Sequence, residues 1–270
     1  MNGEAVITGR TSGGRTLLSA ATILCLVVIY APAIYLLFAS FNPGMQLGLV
    51  PPDQFSLKWY AELAHERRLI AALKESAWVG LATAIVVTPI GLSAALAYRA
   101  MARHRSAFFL FVLFAMFIPG TIQGLGLSVI LKLLAIKPSW ITVTAGHVLW
   151  ALPFCFTVSL VGLSAVRPNM IAAARDLGAG PWRAFFDVTL PLVKGSLVSS
   201  FVFAVLLSLN EYARAYYLVG RQNTLPLYMF GAMNSGASPT IYAFSGAILA
   251  ISFVLVGLML ALASRGARRC

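Results

Sequence analysis

The chain has 270 residues, of which 60% are hydrophobic and only 10% are charged, and its formal net charge is +12 at pH 7. Soluble domains contain about 25% charged and about 45–50% apolar residues, so this balance excludes a soluble enzyme, a disordered tail and a nucleic-acid-binding domain. The composition predicts an integral membrane protein.

Six apolar stretches are long enough to cross a bilayer as helices of about 20 residues. They are Leu17 to Phe38, Ala77 to Tyr98, Phe108 to Leu131, Ile141 to Leu163, Leu197 to Leu218, and Ile241 to Ala263. The first follows two arginines, as a signal peptide would, but its apolar core exceeds the usual length of about 7–15 residues. We therefore expect a retained first helix.

Basic residues set the predicted orientation, because an excess of Lys and Arg marks the cytoplasmic side. Most of the 20 basic residues fall on that side when both termini are cytoplasmic. The predicted division is a cytoplasmic N-terminus over residues 1–16, a transmembrane domain over residues 17–263 and a cytoplasmic C-terminus over residues 264–270. The positive charge then reflects topology and attraction to the lipid surface.

The outer segment from Ser40 to Ser76 is longer than a simple connection requires. Its amphipathic run from Leu57 to Leu63 contains Trp59 and Tyr60, an aromatic pair that suits the headgroup level of a membrane. We expect this run to lie along the outer surface.

Pro119 and the glycines that follow it interrupt the third apolar stretch. Gly120 and Gly124 form a G-x-x-x-G pattern, which allows close helix packing. A solute site built from these glycines is the alternative, and Pro119 could break the helix beside a cavity.

The inner loop, residues 164–194, predicts two short helices joined by a glycine turn. Pro168 suits the first turn of a helix, and Gly178 can adopt the left-handed conformation that ends one. Pro181 can open the second helix and Pro191 is expected to close it. Such a hairpin is either a docking surface for another protein or an ordinary surface feature.

The inner loop resembles the E-A-A-x3-G-x9-I-x-L-P motif of binding-protein-dependent ABC importer permeases. The matching residues are Ala173, Ala174, Gly178, Leu190 and Pro191. Ala172 replaces the glutamate of the motif and Val188 replaces its isoleucine. The motif also lies between the fourth and fifth predicted helices, as in that family.

The resemblance implies an all-α membrane protein with about six transmembrane helices and the type I ABC importer permease fold, in a bacterial inner membrane. The inner loop would be the ATPase-coupling loop. Its contact residues would be Ala173, Ala174, Arg175, Asp176, Leu177, Gly178 and Ala179. The implied partners are a second permease subunit, an ATPase dimer and an extracytoplasmic solute-binding protein.

Nucleotide chemistry is expected from the ATPase subunits, which would bind ATP and Mg²⁺. This chain contains no G-x4-G-K-[ST] phosphate loop, and it offers no catalytic constellation or metal-ligand pattern. We therefore expect a transport subunit without a cofactor of its own, rather than an enzyme.

The end of the fifth stretch carries Asn210, Glu211 and Tyr212. A carboxylate inside a membrane helix is costly, and it points to a transport pathway or to a paired charge. These three residues are the candidate substrate pathway. Glu211 could equally pair with Arg214 one turn later, and both roles can coexist.

Two further segments resemble the spermidine/putrescine branch of these permeases. They are Asn223 to Pro226 and Ser238 to Ala243. The resemblance implies a polyamine as solute, while opines, ferric iron and phosphonates are alternatives within the same class. An ion-driven secondary transporter is disfavoured, because the chain shows no obvious inverted repeat and no run of intramembrane acids.

Overall fold

The structure, a computed structural model, describes residues 12–45, 48–51, 54–236 and 238–267. Every regular element among these residues is a helix, as the sequence predicts. The helices are α1 (Ser12–Ala39), α2 (Lys58–Leu63), α3 (Arg67–Ala100), α4 (Arg105–Phe114), α5 (Gly120–Leu133), α6 (Trp140–Leu163), α7 (Pro168–Asp176), α8 (Pro181–Ala184), α9 (Leu190–Leu209), α10 (Ala215–Leu218), α11 (Leu225–Asn234) and α12 (Pro239–Ala267). A π-helical turn, Phe185–Thr189, joins α8 to α9.

Four helical segments in the described part of the chain are long and apolar enough to cross a membrane. They are Leu17–Ala39, Arg67–Ala100, Trp140–Leu163 and Pro181–Leu209. Shorter apolar helical segments are α4, α5 and Pro239–Val254 of α12. The second, fourth and sixth predicted stretches each lie within one helix, although α3 begins at Arg67, well before the predicted Ala77.

The third predicted stretch, Phe108 to Leu131, is not one continuous helix, and it is broken before Pro119, where the sequence allowed a break. The chain leaves the helix after Phe114, and α5 begins after Pro119. Pro119 has an extended backbone, with φ −52° and ψ 135°. A proline has no N–H for the helix and disfavours helical geometry in the residue before it, so the break occurs where the sequence places this residue.

The fifth predicted stretch, Leu197 to Leu218, is also corrected at both ends. Helix α9 already begins at Leu190 and ends at Leu209, and residues 210–214 separate it from α10. We expected Pro191 to close the preceding helix, and this expectation is wrong, because Pro191 lies in the first turn of α9. A π-helical turn, which is wider than an α-helical turn, comes directly before α9. Such a turn relieves the conflict between a proline ring and the preceding carbonyls.

One compact unit consists of α3 to α10 and most of α11. Its centre is formed by α3, α6 and α9, which pack against one another through small residues. A Cβ atom added to Gly91 would lie 2.9 Å from the Cys155 carbonyl carbon. Ala84, Ala151 and Ala204 are fully buried in the same core. Small side chains at such positions let helix backbones approach closely, as is usual in membranes.

The other unit contains α1, α2 and α12. In α2, Trp59 is buried and its indole N–H donates a 3.1 Å hydrogen bond to the Asn42 carbonyl. The Tyr60 and Ser40 hydroxyls are hydrogen-bonded at 2.5 Å. The predicted amphipathic run thus contains α2, and these contacts attach it to the end of α1.

Candidate functional site

The inner loop contains the predicted helix, turn and helix. Helix α7 has Pro168 in its first turn, and α8 begins at Pro181. Gly178 has φ +87°, in the left-handed region. Its N–H donates to the Arg175 carbonyl at 2.8 Å, and the Ala179 N–H donates to the Ala174 carbonyl at 3.0 Å. This pair of bonds is a Schellman motif, which ends a helix in a defined direction.

The surface of the inner loop is largely exposed. Helix α7 contains no buried residue, and Leu177 is 90% exposed at its end. Beyond the turn, Trp182 is 76% exposed and its ring stacks on that of Phe186, with centroids 6.3 Å apart. Large apolar side chains exposed together at one site mark a surface for a partner or a membrane.

Arg99, at the end of α3, attaches this loop to the helical core. Its guanidinium donates to the Leu163 carbonyl at 2.5 Å and to the Val166 carbonyl at 2.9 Å. A cation at the C-terminus of α6 can donate hydrogen bonds to the last carbonyls of the helix. It also interacts favourably with the negative end of the helix dipole. Behind α7 lies a cavity of about 680 Å³. Ala172, which replaces the glutamate of the motif, lines this cavity together with Arg99.

A buried ion pair occupies the break after α9. Glu211 is 7% exposed and Arg214 is 4% exposed. The Arg214 side chain bonds one Glu211 oxygen at 2.9 Å, and its backbone N–H donates to the other oxygen at 2.9 Å. Both carboxylate oxygens therefore have a partner within their own segment.

Arg214 also joins this segment to two other helices. Its Nε donates to the Gln123 side-chain oxygen on α5 at 2.7 Å, and its guanidinium lies 4.5 Å from the centre of the Trp150 ring on α6. We call Glu211, Arg214, Gln123 and Trp150 the charge cluster. A buried ion pair is tolerable only when its remaining hydrogen-bonding groups are also satisfied, and Gln123 and Trp150 supply these contacts.

Glycines make room for Arg214, which supports the packing interpretation of the third stretch. A Cβ atom on Gly120 would lie 2.8 Å from an Arg214 guanidinium nitrogen, and one on Gly124 would lie 2.9 Å from the Arg214 Cα. Gly126 has no atom within 4 Å of that position. Of these three glycines in α5, only Gly120 and Gly124, the G-x-x-x-G pair, are therefore in close contact with Arg214.

The three candidate pathway residues have different surroundings. Asn210 is exposed, and its side chain donates to the Leu206 carbonyl at 2.9 Å. Tyr212 is half-buried, and its ring lies 4.6 Å from that of Phe230. Glu211 is buried in the charge cluster. The cavity behind α7 is not lined by any of these side chains.

Several contacts at these sites have no signal in the sequence. No motif marks Gln123 or Trp150 as partners of Arg214, since they are distant along the chain. His147 and Ser208 are a further buried pair, hydrogen-bonded at 2.6 Å between α6 and α9. The described residues include no group of three or more His, Cys, Asp or Glu that could hold a metal ion.

The described residues form a bundle of apolar helices that carries an exposed hairpin with a glycine turn, and this architecture defines the class as a helical membrane protein. Two solved structures share this fold. The bacterial alginate ABC transporter in complex with alginate pentasaccharide-bound periplasmic protein has a TM-score of 0.68 and 16% identity, with 91% of each chain covered. A bacterial ABC transporter involved in alginate import has a TM-score of 0.64 and 16% identity, over 94% of this chain and 98% of that chain.

The chain belongs to the family described as binding-protein-dependent transport system inner membrane component, whose model matches residues 87–268. It is similar to the putrescine transport system permease protein PotI of Escherichia coli K12, with 29% identity over 82% of this chain and 81% of PotI. The spermidine/putrescine transport system permease protein PotC of the same strain is 27% identical, over 84% of this chain and 86% of PotC.

The chain is thus a multi-pass inner-membrane permease subunit of an ABC importer. It is a transport subunit rather than an enzyme. The predicted family and fold class are confirmed.

Proposed function

We propose that this permease subunit translocates a polyamine of the spermidine or putrescine type, delivered by an extracytoplasmic binding protein. The observation that carries the proposal is the similarity to PotI and PotC over 82% and 84% of this chain. Cationic solutes need carboxylates, amide oxygens or aromatic faces in place of their hydration shell.

The test is uptake of labelled putrescine and spermidine into proteoliposomes that contain the full complex and its binding protein. We expect uptake that depends on ATP and on the binding protein. Uptake of an opine, a phosphonate or ferric iron without any polyamine uptake would reject the polyamine and keep the importer.

We further propose that the inner loop, residues 164–194, docks on an ATPase subunit. The contact residues would be Ala173, Ala174, Arg175, Asp176, Leu177, Gly178 and Ala179. Exposure of α7 and the fixed Schellman turn support this role. A movement of the ATPase can reach the transmembrane helices only through a rigid element. Trp182 and Phe186 extend the apolar part of the same surface.

ATP and Mg²⁺ would bind to the ATPase dimer, and a second permease subunit would complete the membrane domain. Closure of the ATPase pair would then move the inner loops of both permease subunits and change the access of the solute cavity.

Truncation of the two most exposed apolar side chains tests the docking surface. Apolar anchors at interfaces each contribute about 2 kcal/mol or more, so Leu177→Ala and Trp182→Ala should each weaken ATPase binding by about tenfold or more. The matched control is Leu133→Ala, because Leu133 is 81% exposed in α5. Affinity is measured by titrating purified ATPase onto the permease pair in nanodiscs. Equal affinity in all variants would remove the inner loop from the interface.

We propose that both termini, residues 1–16 and 264–270, are cytoplasmic and that residues 17–263 form the transmembrane domain. Single cysteines introduced by Leu57→Cys, Arg103→Cys and Arg183→Cys, in a chain without native cysteines, test this orientation. An impermeant reagent should label position 57 from outside and positions 103 and 183 only after permeabilisation. Labelling of position 183 from outside would invert the topology.

We also propose that Asn210, Glu211 and Tyr212 lie beside the solute path. Exposed Asn210 and half-buried Tyr212 offer an amide and a ring, and Glu211 offers a carboxylate that is paired with Arg214. Uptake should fall in Glu211→Gln. Restored uptake in the double variant with Arg214→Gln would show that Glu211 only balances the charge of Arg214. Continued loss in the double variant would support a direct role.

A further inference from the structure

A second cavity, of about 400 Å³, lies at the end of α3 that is farthest from the inner loop. Its lining contains three arginines, two from the first turn of α3 and one from the loop before α11. The lining residues are Arg67, Arg68, Ala71, Arg221, Gln222, Asn223 and Tyr228. We call this cavity the basic pocket.

The arginines of the basic pocket form no ion pair in the described part of the chain. No acidic residue belongs to the lining. The first turn of α3 also contains no acidic residue. Arginines at a helix N-terminus oppose the positive end of the helix dipole, and Glu66, directly before α3, does not belong to the lining of the pocket.

The position of the basic pocket identifies the side of the membrane it faces. Helix α3 has 34 residues from Arg67 to Ala100, which corresponds to a length of about 50 Å at about 1.5 Å per residue. This length exceeds the full thickness of a bilayer, about 40–45 Å. Arg99 at its other end contacts the base of the inner loop. If the inner loop is cytoplasmic, the basic pocket opens on the extracytoplasmic face.

We propose that the basic pocket binds acidic side chains of the extracytoplasmic solute-binding protein; this inference depends on the importer function and orientation proposed above. Three guanidinium groups repel a polyamine, which excludes the proposed solute as the occupant. Carboxylates fit instead, because a guanidinium forms paired hydrogen bonds with them. All three arginines are exposed, so a docking protein can reach them.

Exposed charges at the edge of an interface act mainly on the rate of encounter and on its dependence on salt. The purified solute-binding protein of the same importer is therefore titrated onto the assembled complex in nanodiscs, at low and at physiological ionic strength. The variants are Arg67→Gln, Arg68→Gln and Arg221→Gln, singly and together. Lys137→Gln is the matched control, because Lys137 is an exposed cation in the connection between α5 and α6, outside the pocket.

We expect the triple variant to bind the solute-binding protein about tenfold more weakly at low salt, with a flatter dependence on salt. Arg→Lys changes at the three positions should keep the dependence on salt but lose part of the affinity, because lysine retains the charge and not the paired hydrogen bonds, and this result also separates lost charge from misfolding. Lys137→Gln should bind like the unmodified complex. Equal affinity and an equal salt slope in the triple variant would overturn the proposal.

A different result would also overturn it: unchanged affinity for the binding protein with reduced uptake of a phosphonate. The basic pocket would then belong to the path of an anionic solute. Failure of the polyamine proposal appears separately, as absent polyamine uptake in the unmodified complex, since the docking titration needs no transport.

Discussion

The inner loop and the charge cluster differ in what surrounds their side chains. In the inner loop, α7 buries no residue and Leu177 is 90% exposed. In the charge cluster, Arg214 is 4% exposed and has partners on α5 and α6. The loop is defined by its backbone geometry, and its apolar side chains stay exposed within this chain. The cluster is complete within the chain, and each member depends on the others.

The largest expected effect is loss of Arg214. Arg214→Ala leaves the Glu211 carboxylate buried and unpaired, and breaking a buried pair in this way costs about 3–5 kcal/mol. Thermal unfolding of the purified permease pair, followed by size-exclusion chromatography, measures the loss. The double variant Glu211→Gln with Arg214→Gln should be more stable than Arg214→Ala. If Arg214→Ala were as stable as the unmodified chain, the charge cluster would contribute little to the stability of the permease.

A second test uses the glycines that face Arg214. Gly124→Ala places a Cβ atom 2.9 Å from the Arg214 Cα, a backbone atom that cannot move aside without shifting the segment between α9 and α10. Such overpacking costs about 1–3 kcal/mol. Gly126→Ala on the same helix meets no atom within 4 Å, and it should be neutral or slightly stabilising because alanine favours helix. Equal stability of the two variants, measured by the same unfolding assay, would contradict the close packing.

The third test applies to the turn of the inner loop. Gly178→Ala creates no steric overlap, but its φ of +87° is strained for any L side chain, at a cost of about 1–2 kcal/mol. We expect ATPase-driven uptake to fall while the unfolding temperature of the membrane bundle changes little. Gly180→Ala is the control, because Gly180 has φ −68° and open space around it. Normal uptake in Gly178→Ala would mean that the turn need not be rigid.

The smallest expected effect concerns an exposed ion pair. Arg183 and Asp187 lie 3.4 Å apart with side chains 77% and 64% exposed, and such pairs contribute about 0–1 kcal/mol. Arg183→Ala should therefore leave the unfolding temperature almost unchanged, in contrast to Arg214→Ala. A loss as large as that of Arg214→Ala would remove the distinction between buried and exposed pairs in this chain.

The predicted helices agree with the structure where local sequence decides the backbone. Pro168 opens α7, Gly178 ends it in a left-handed turn, and Pro181 opens α8. The expected close at Pro191 is wrong, because a π-helical turn accommodates the proline and α9 continues. A change of helical hydrogen-bonding pattern depends on packing around the segment, so residue type alone did not reveal it.

By itself, the sequence determined the membrane class, the positions of most apolar helices and the glycine turn, because hydrophobicity and backbone preference are local properties of a chain. Only the tertiary structure decided the environment of Glu211. Gln123 and Trp150 lie 91 and 64 positions before Arg214, and they reach it because α5, α6 and the break after α9 pack together. The charge state and packing of a buried group depend on such distant partners, which no pattern in the chain specifies.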